Sequence, residues 1–175
     1  KIGFERELIT LPTDSTYTLT LFKETPEYKF GRASQVGKNH ILFGYEGLAD
    51  TLNIEMLSEM QEEYTSAVFK DEKKDTLHYW FKPAIETDSL IFKVTNGSFI
   101  DTATVRMREL FKDSLTISAL KTGTLKLKDT FKLRANTPLV TFDAEQFQVM
   151  AKDSSFVETT VKLNKKYNWA EVSFP

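Results

Sequence analysis

Two histidines, His40 and His78, are the side chains of this 175-residue chain best suited to acid–base or metal chemistry near neutral pH. They stand apart in sequence. His40 follows Lys38 and Asn39 at the start of a strand-like run, and His78 lies opposite the face that carries Leu77, Tyr79 and Phe81. No H-x-x-x-H or H-E-x-x-H spacing occurs, so no helix face offers two imidazoles to one ion. Two remote histidines could still join a carboxylate in a metal site. The structural alternative is a turn histidine and a solvent-facing strand histidine. A hydrolase needs converging carboxylates or a His–carboxylate pair, and His78 with Glu46 is the place to look for the pair. Carboxylates are adjacent at Glu62-Glu63 and Asp71-Glu72. Glycosidase carboxylates face each other across about 5–9 Å. Adjacent residues in a loop diverge, so these pairs read as solvated charge. No serine sits in a G-x-S-x-G turn. Gly44 and Gly47 flank Tyr45 and Glu46, the pattern of a bulge and turn rather than of a phosphate loop. The sequence therefore assigns no catalytic residue, no cofactor and no metal ligand, and the expectation is a protein that is not an enzyme.

Aromatic residues make up 13% of the chain, with 14 phenylalanines. Tyr79, Trp80 and Phe81 are consecutive, so at least one ring must turn to the second face of any strand that holds them. An exposed Trp80, with Tyr79 and Tyr45, is the candidate platform for a protein partner or a carbohydrate. The alternative is a Trp80 covered by a neighbouring domain. Trp169, beside Tyr167, is expected in the core of a second unit. Sheet edges are a further route to partners, by strand addition. Lys and Arg total 23 against 25 Asp and Glu, a net charge of −2. This balance leaves no electrostatic footprint for nucleic acid and no basic tail for an anionic membrane. The chain has no cysteine, which removes disulfides, thiolate nucleophiles and zinc–thiolate sites together. Hydrophobic residues reach 41%, enough to bury a core. No apolar run approaches the roughly 18 residues of a spanning helix.

The elements that must hold these residues follow a period of two. Ile41 and Phe43 alternate with Leu42 and Gly44; Leu90, Phe92 and Val94 with Ile91 and Lys93; Ala103 and Val105 with Thr104 and Arg106; Phe131, Leu133 and Ala135 with Lys132 and Arg134; Val157, Thr159 and Val161 with polar residues. Successive side chains of a strand point to opposite faces, so this alternation predicts half-buried strands. Many of the residues are β-branched or aromatic, which suits a pleated surface. Asp followed by Ser or Thr recurs at Asp75, Asp88, Asp101, Asp113 and Asp129, at intervals of 13, 13, 12 and 16 residues. Such pairs bond their own backbone and favour turns, so they read as punctuation between strands of a meander or sandwich. The sharper reading, a carboxylate row binding calcium, requires several of them to converge in one loop. The stretch from Leu48 to Val68 is ambiguous. Apolar residues recur there every four positions, yet Leu52, Ile54 and Met56 also alternate. A strand over 51–57 and another over 64–69 are predicted, with a helix over 55–64 as the alternative. Asp71 to Asp75 is read as a charged hairpin loop.

Strands are predicted near 28–33, 40–46, 51–57, 64–69, 75–82, 88–95 and 101–108. Seven short strands in this span match the number in an immunoglobulin-like sandwich. A second group is predicted near 114–120, 124–127, 130–136, 139–142, 146–150, 156–162 and 168–174. The resulting fold class is all-β, with two consecutive Ig-like antiparallel sandwiches. The first spans 25–112, and the second, 113–175, is expected to be truncated in its last strand. The junction lies near Phe111, Lys112 and Asp113, with no Gly/Ser linker, so a short stiff connection is expected. Residues 1–24 read as a leading strand segment, either the end of another domain or a strand added to the first. The chain opens at Lys1 without a methionine, which suggests a processed or excised fragment.

Several strings resemble a known family. Lys1-Ile-Gly-Phe4, Ile9-Thr-Leu11 and Leu19-Thr-Leu-Phe22 before Thr25-Pro26 are similar to a junction in the large Ig-like-domain lipoproteins of Bacteroidetes-type bacteria. There an SbsA-type Ig-like domain precedes a carboxypeptidase-regulatory, transthyretin-like sandwich whose closing part reads like residues 1–22. Ile41 to Gly47, Asp75 to Phe81 and Asp88 to Val94 resemble the region that follows, and Leu133 to Phe142 with Thr137-Pro138 looks like another SbsA-type stretch. The resemblance implies a bacterial cell-envelope protein, an outer-membrane lipoprotein facing the periplasm or the surface, held by a lipid outside this chain. It implies other envelope proteins as partners and carries over no catalytic residue. The expected role is a non-enzymatic spacer, scaffold or protein-interaction module. A carbohydrate-binding or adhesive sandwich is the alternative.

Overall fold

The alternating segments form antiparallel ladders that leave one apolar face per strand. In the computed structural model, which describes residues 21, 24, 26–59, 63–126 and 129–174, these faces close on each other as two sheets. The first contains β1 (Lys29–Gly37), β2 (His40–Glu46), β4 (Thr65–Lys70) and β5 (Thr76–Lys82), in the order β1-β2-β5-β4. The second contains β3 (Asn53–Met56), β6 (Ser89–Asn96) and β7 (Phe99–Arg106), in the order β3-β6-β7. Lettered A to G in chain order, this is ABED facing CFG, the strand order of a constant-type immunoglobulin sandwich.

Ile41, Phe43, Tyr79 and Phe81 of one sheet meet Ile54, Met56, Leu90, Phe92, Val94, Ala103 and Val105 of the other in a single buried cluster. At its centre Phe92 stands edge-on to Phe43 and to Tyr79, each with ring centroids 5.2 Å apart. Antibody domains bridge strands B and F with a disulfide. Here Phe43 of β2 and Phe92 of β6 join the same two strands by ring contact, and the chain has no cysteine.

Residues 107–116 lead from β7 into a second set of strands: β8 (Ile117–Ala119), β9 (Phe131–Ala135), β10 (Val149–Met150), β11 (Phe156–Val157), β12 (Thr160–Asn164) and β13 (Trp169–Ser173). Four of them form one sheet in the order β8-β9-β13-β12, while β10 and β11 pair only with each other. The path through β8, β9, β13 and β12 repeats that through β1, β2, β5 and β4. The register puts Ile117, Ala135, Leu133, Ala170 and Val172 on one face and Arg134, Lys132, Trp169 and Glu171 on the other.

Two expectations change. Residues 124–126 and 139–142 form no strand, because no partner ladder lies beside them. The ambiguous stretch holds the two predicted strands, as β3 and β4, and residues 57–59 and 63–64 are not helical; 60–62 lie outside the described residues, as does most of the leading segment 1–24. Asp101-Thr102 lies within β7, opposite Val94 and Lys93, rather than at its start.

Candidate functional site

Period two decides which side chains leave the core. On β2 and β5 the residues between the core positions, His40, His78 and Trp80, project from the outer face of the first sheet, and the register sets His40 opposite Trp80 and Phe69 opposite His78. The four rings stack in a row. Trp80 lies 4.1 Å from His40, His40 5.1 Å from His78, and His78 4.7 Å from Phe69, all nearly parallel. Within this row His40 Nε2 is 2.9 Å from His78 Nδ1. His78 Nε2 lies 3.5 Å from Asp71 Oδ2, an ion-pair distance rather than a tight hydrogen bond.

The proton positions follow from this chain. His78 Nε2 faces a carboxylate and so carries the hydrogen, which leaves its Nδ1 as an acceptor. His40 must then donate from Nε2. Burial, with the neighbouring His78, pushes His40 down to about 3, so it is neutral. Burial also lowers His78; Asp71 opposes that shift, and the Arg134 guanidinium adds to it. For Asp71, burial pulls upward, but the amides of Lys73 and Lys74 and the His78 ring outweigh it and hold the carboxyl below its usual range. The same Oδ1 accepts both amides at 2.8 and 2.9 Å, which shapes the charged hairpin loop.

The second set of strands sits against this face. Asp113, Arg134, Ala135, Asn136 and Tyr167 close a cavity of about 300 Å³ with His40, Phe69, His78 and Trp80. Backbone bonds fix the contact. The Lys70 amide of β4 donates to the Lys166 carbonyl at 2.7 Å, and the Lys38 amide to the Phe111 carbonyl at 3.3 Å. Arg134 Nη2 donates to Glu72 Oε2 at 2.8 Å. Gly37 lets Asp113 pack closely, since a Cβ on it would meet the Asp113 carboxylate and push that side chain aside. Gln35 Oε1 and Nε2 bond the Arg108 amide and carbonyl at 2.8 and 3.1 Å. Asn136 grips the far end of the connection through the Thr116 amide and the Ser114 carbonyl.

The histidines are thus neither a turn residue nor a solvent-facing one. His40 is buried and His78 half-buried, and they lie together. The carboxylate that meets His78 is Asp71, not Glu46. Glu46 lies four positions beyond Leu42, the residue opposite His78, or about 13 Å along the strand. Asp71 and Glu72 diverge as expected of neighbours, one to His78 and the other to Arg134. The three candidate platform residues are not brought together. Tyr79 and Tyr45 are only 1% and 5% exposed and face the interior, so neither offers a ring to a sugar. Trp80 alone projects from the outer face, one side covered by His40, and its buried Nε1 has no hydrogen-bond partner among the described residues. No group of three His, Cys, Asp or Glu is arranged to hold a metal ion among the described residues. Sequence reasoning missed the cluster because only the long-range β2–β5 register unites its histidines. The local signals were the face that His78 shares with Trp80 on β5 and the hairpin that it shares with Asp71.

Comparison with protein-family profiles, curated proteins and solved structures gives no match for this chain.

Proposed function

We propose that this chain is a tandem of Ig-like modules from a bacterial cell-envelope lipoprotein, acting as a non-enzymatic spacer, scaffold or protein-interaction subunit. The observation that carries this reading is where the polar chemistry lies. Histidines, carboxylates and Trp80 are spent on the contact between two units rather than gathered in an open cleft beside a nucleophile. The ABED–CFG order of the first unit and the repeated ABED path of the second support a modular array. The sequence resemblance supplies the envelope setting, the lipid anchor outside this chain and the expectation of other envelope proteins as partners.

The test is affinity isolation of the tagged protein that carries this chain from its native membranes, followed by mass spectrometry. A reproducible stoichiometric complex with envelope proteins is the expected result. Isolation of the protein alone, together with glycan-array binding lost in Trp80→Ala at unchanged thermal stability, overturns it in favour of a carbohydrate-binding module.

A further inference from the structure

We propose that the contact between the two units is proton-controlled: protonation of His78 undocks the second unit from the outer face of the first sheet. The inference stands on the interface geometry and does not depend on what the module binds.

His78 lies in the contact, in the wall of the 300 Å³ cavity. From its own hairpin it faces Asp71, and from β2 it faces His40 Nε2 at 2.9 Å. From the second unit it faces Arg134, whose guanidinium is shared with Glu72. Lys70, Asp113 and Tyr167 complete the ionisable lining of the cavity. In the neutral state one hydrogen lies between the two rings. A second proton on His78 Nδ1 would point at the hydrogen already on His40 Nε2. Two donors cannot share a 2.9 Å contact, so His40 must move its own hydrogen to Nδ1 or the stacked row must separate. The new charge also stands against Arg134 in a half-open site that the second unit shields only in part from water. Asp71 compensates only in part, since the docked His78 still titrates below the ordinary histidine value of 6.5.

The sign follows from linkage. Docking adds burial and the Arg134 charge, and both lower the His78 pKa relative to the undocked state. A group lowered by docking stabilises the docked form fully above its undocked pKa. That stabilisation is lost as pH falls through the docked value. The Arg134–Glu72 pair, partly exposed on both sides, opposes opening only weakly.

The experiment follows the 175-residue chain from pH 8 to pH 4.5 at fixed ionic strength. Histidine ring NMR shifts give the His78 midpoint, small-angle X-ray scattering gives the radius of gyration, and far-UV circular dichroism reports on the strands. The expected result is a reversible increase in radius whose midpoint coincides with the His78 titration below pH 6.5, with the strand signal retained. His78→Gln, which can still accept and donate without charging, should lose the transition. Arg134→Gln should move the His78 midpoint upward and provides the test if His78→Gln does not fold. A radius unchanged through the His78 titration overturns the proposal. So does a transition retained at the same pH in His78→Gln, loss of the strand signal at the same midpoint, or an unmoved His78 midpoint in Arg134→Gln.

Discussion

At the scale of single residues, buried polar side chains mark where this fold depends on one identity. Asn168 is the clearest case. It is 4% exposed, holds φ at 55°, and caps the β9 end of the β8-β9-β13-β12 sheet. Its Nδ2 donates to the Ala135 and Thr137 carbonyls at 3.0 and 2.8 Å, and its Oδ1 accepts the Leu139 amide at 2.9 Å. Asparagine tolerates the left-handed region better than most residues because its short amide bonds locally. Asn168→Ala removes three bonds and adds backbone strain, so a loss of about 3 kcal/mol is expected in the second unit. Asn168→Gly relieves the strain and should lose less. Thermal unfolding of the two variants, read at Trp169, checks the order.

At the scale of elements, the first sandwich turns on one ring, Phe92, and its two aromatic contacts across the sheets. Phe92→Ala leaves a cavity against Phe43 and Tyr79 and should cost about 3–5 kcal/mol in denaturant unfolding, with the slope against denaturant unchanged. The seven strands that make this core were legible in the sequence to within a few residues. Strands β2, β3, β5, β6 and β7 bury alternate apolar residues, and burial of one face enforces their register, while β1 and β4 alternate less regularly. The second unit was less legible. Residues 139–142, Leu-Val-Thr-Phe, have strong β propensity but no ladder partner, and Leu139 spends its amide on Asn168. The Asp-Ser/Thr punctuation misled at Asp101. The actual turn is Gly97-Ser98, between the paired Asn96 and Phe99, with Gly97 at φ 59°, a stronger hairpin signal. The site itself was legible only in part: Asp71 and His78 share the β4–β5 hairpin, but His40 joins them only through the β2–β5 register.

At the scale of the whole molecule, the connection is clamped at both ends rather than left as a tether. Gln35 and Lys38 hold its start and Asn136 its end, while Asp113 packs against Gly37. One part of that clamp has a mechanical meaning. Tyr28, just before β1, touches Phe99 at the start of β7, with ring centroids 5.0 Å apart, and Gln35 near the end of β1 bonds Arg108 just past the end of β7. The two strands therefore run side by side in the same direction. Tension pulling residue 26 away from residue 110 loads this seam along its length, so the Tyr28–Phe99 contact and the paired Gln35–Arg108 bonds are sheared together rather than peeled one at a time. Gln35→Ala should cost only about 1 kcal/mol at equilibrium. It should nonetheless clearly lower the rupture force of the first unit in single-molecule stretching. A chain laid out in this way resists being drawn out along its axis more strongly than its equilibrium stability alone would suggest.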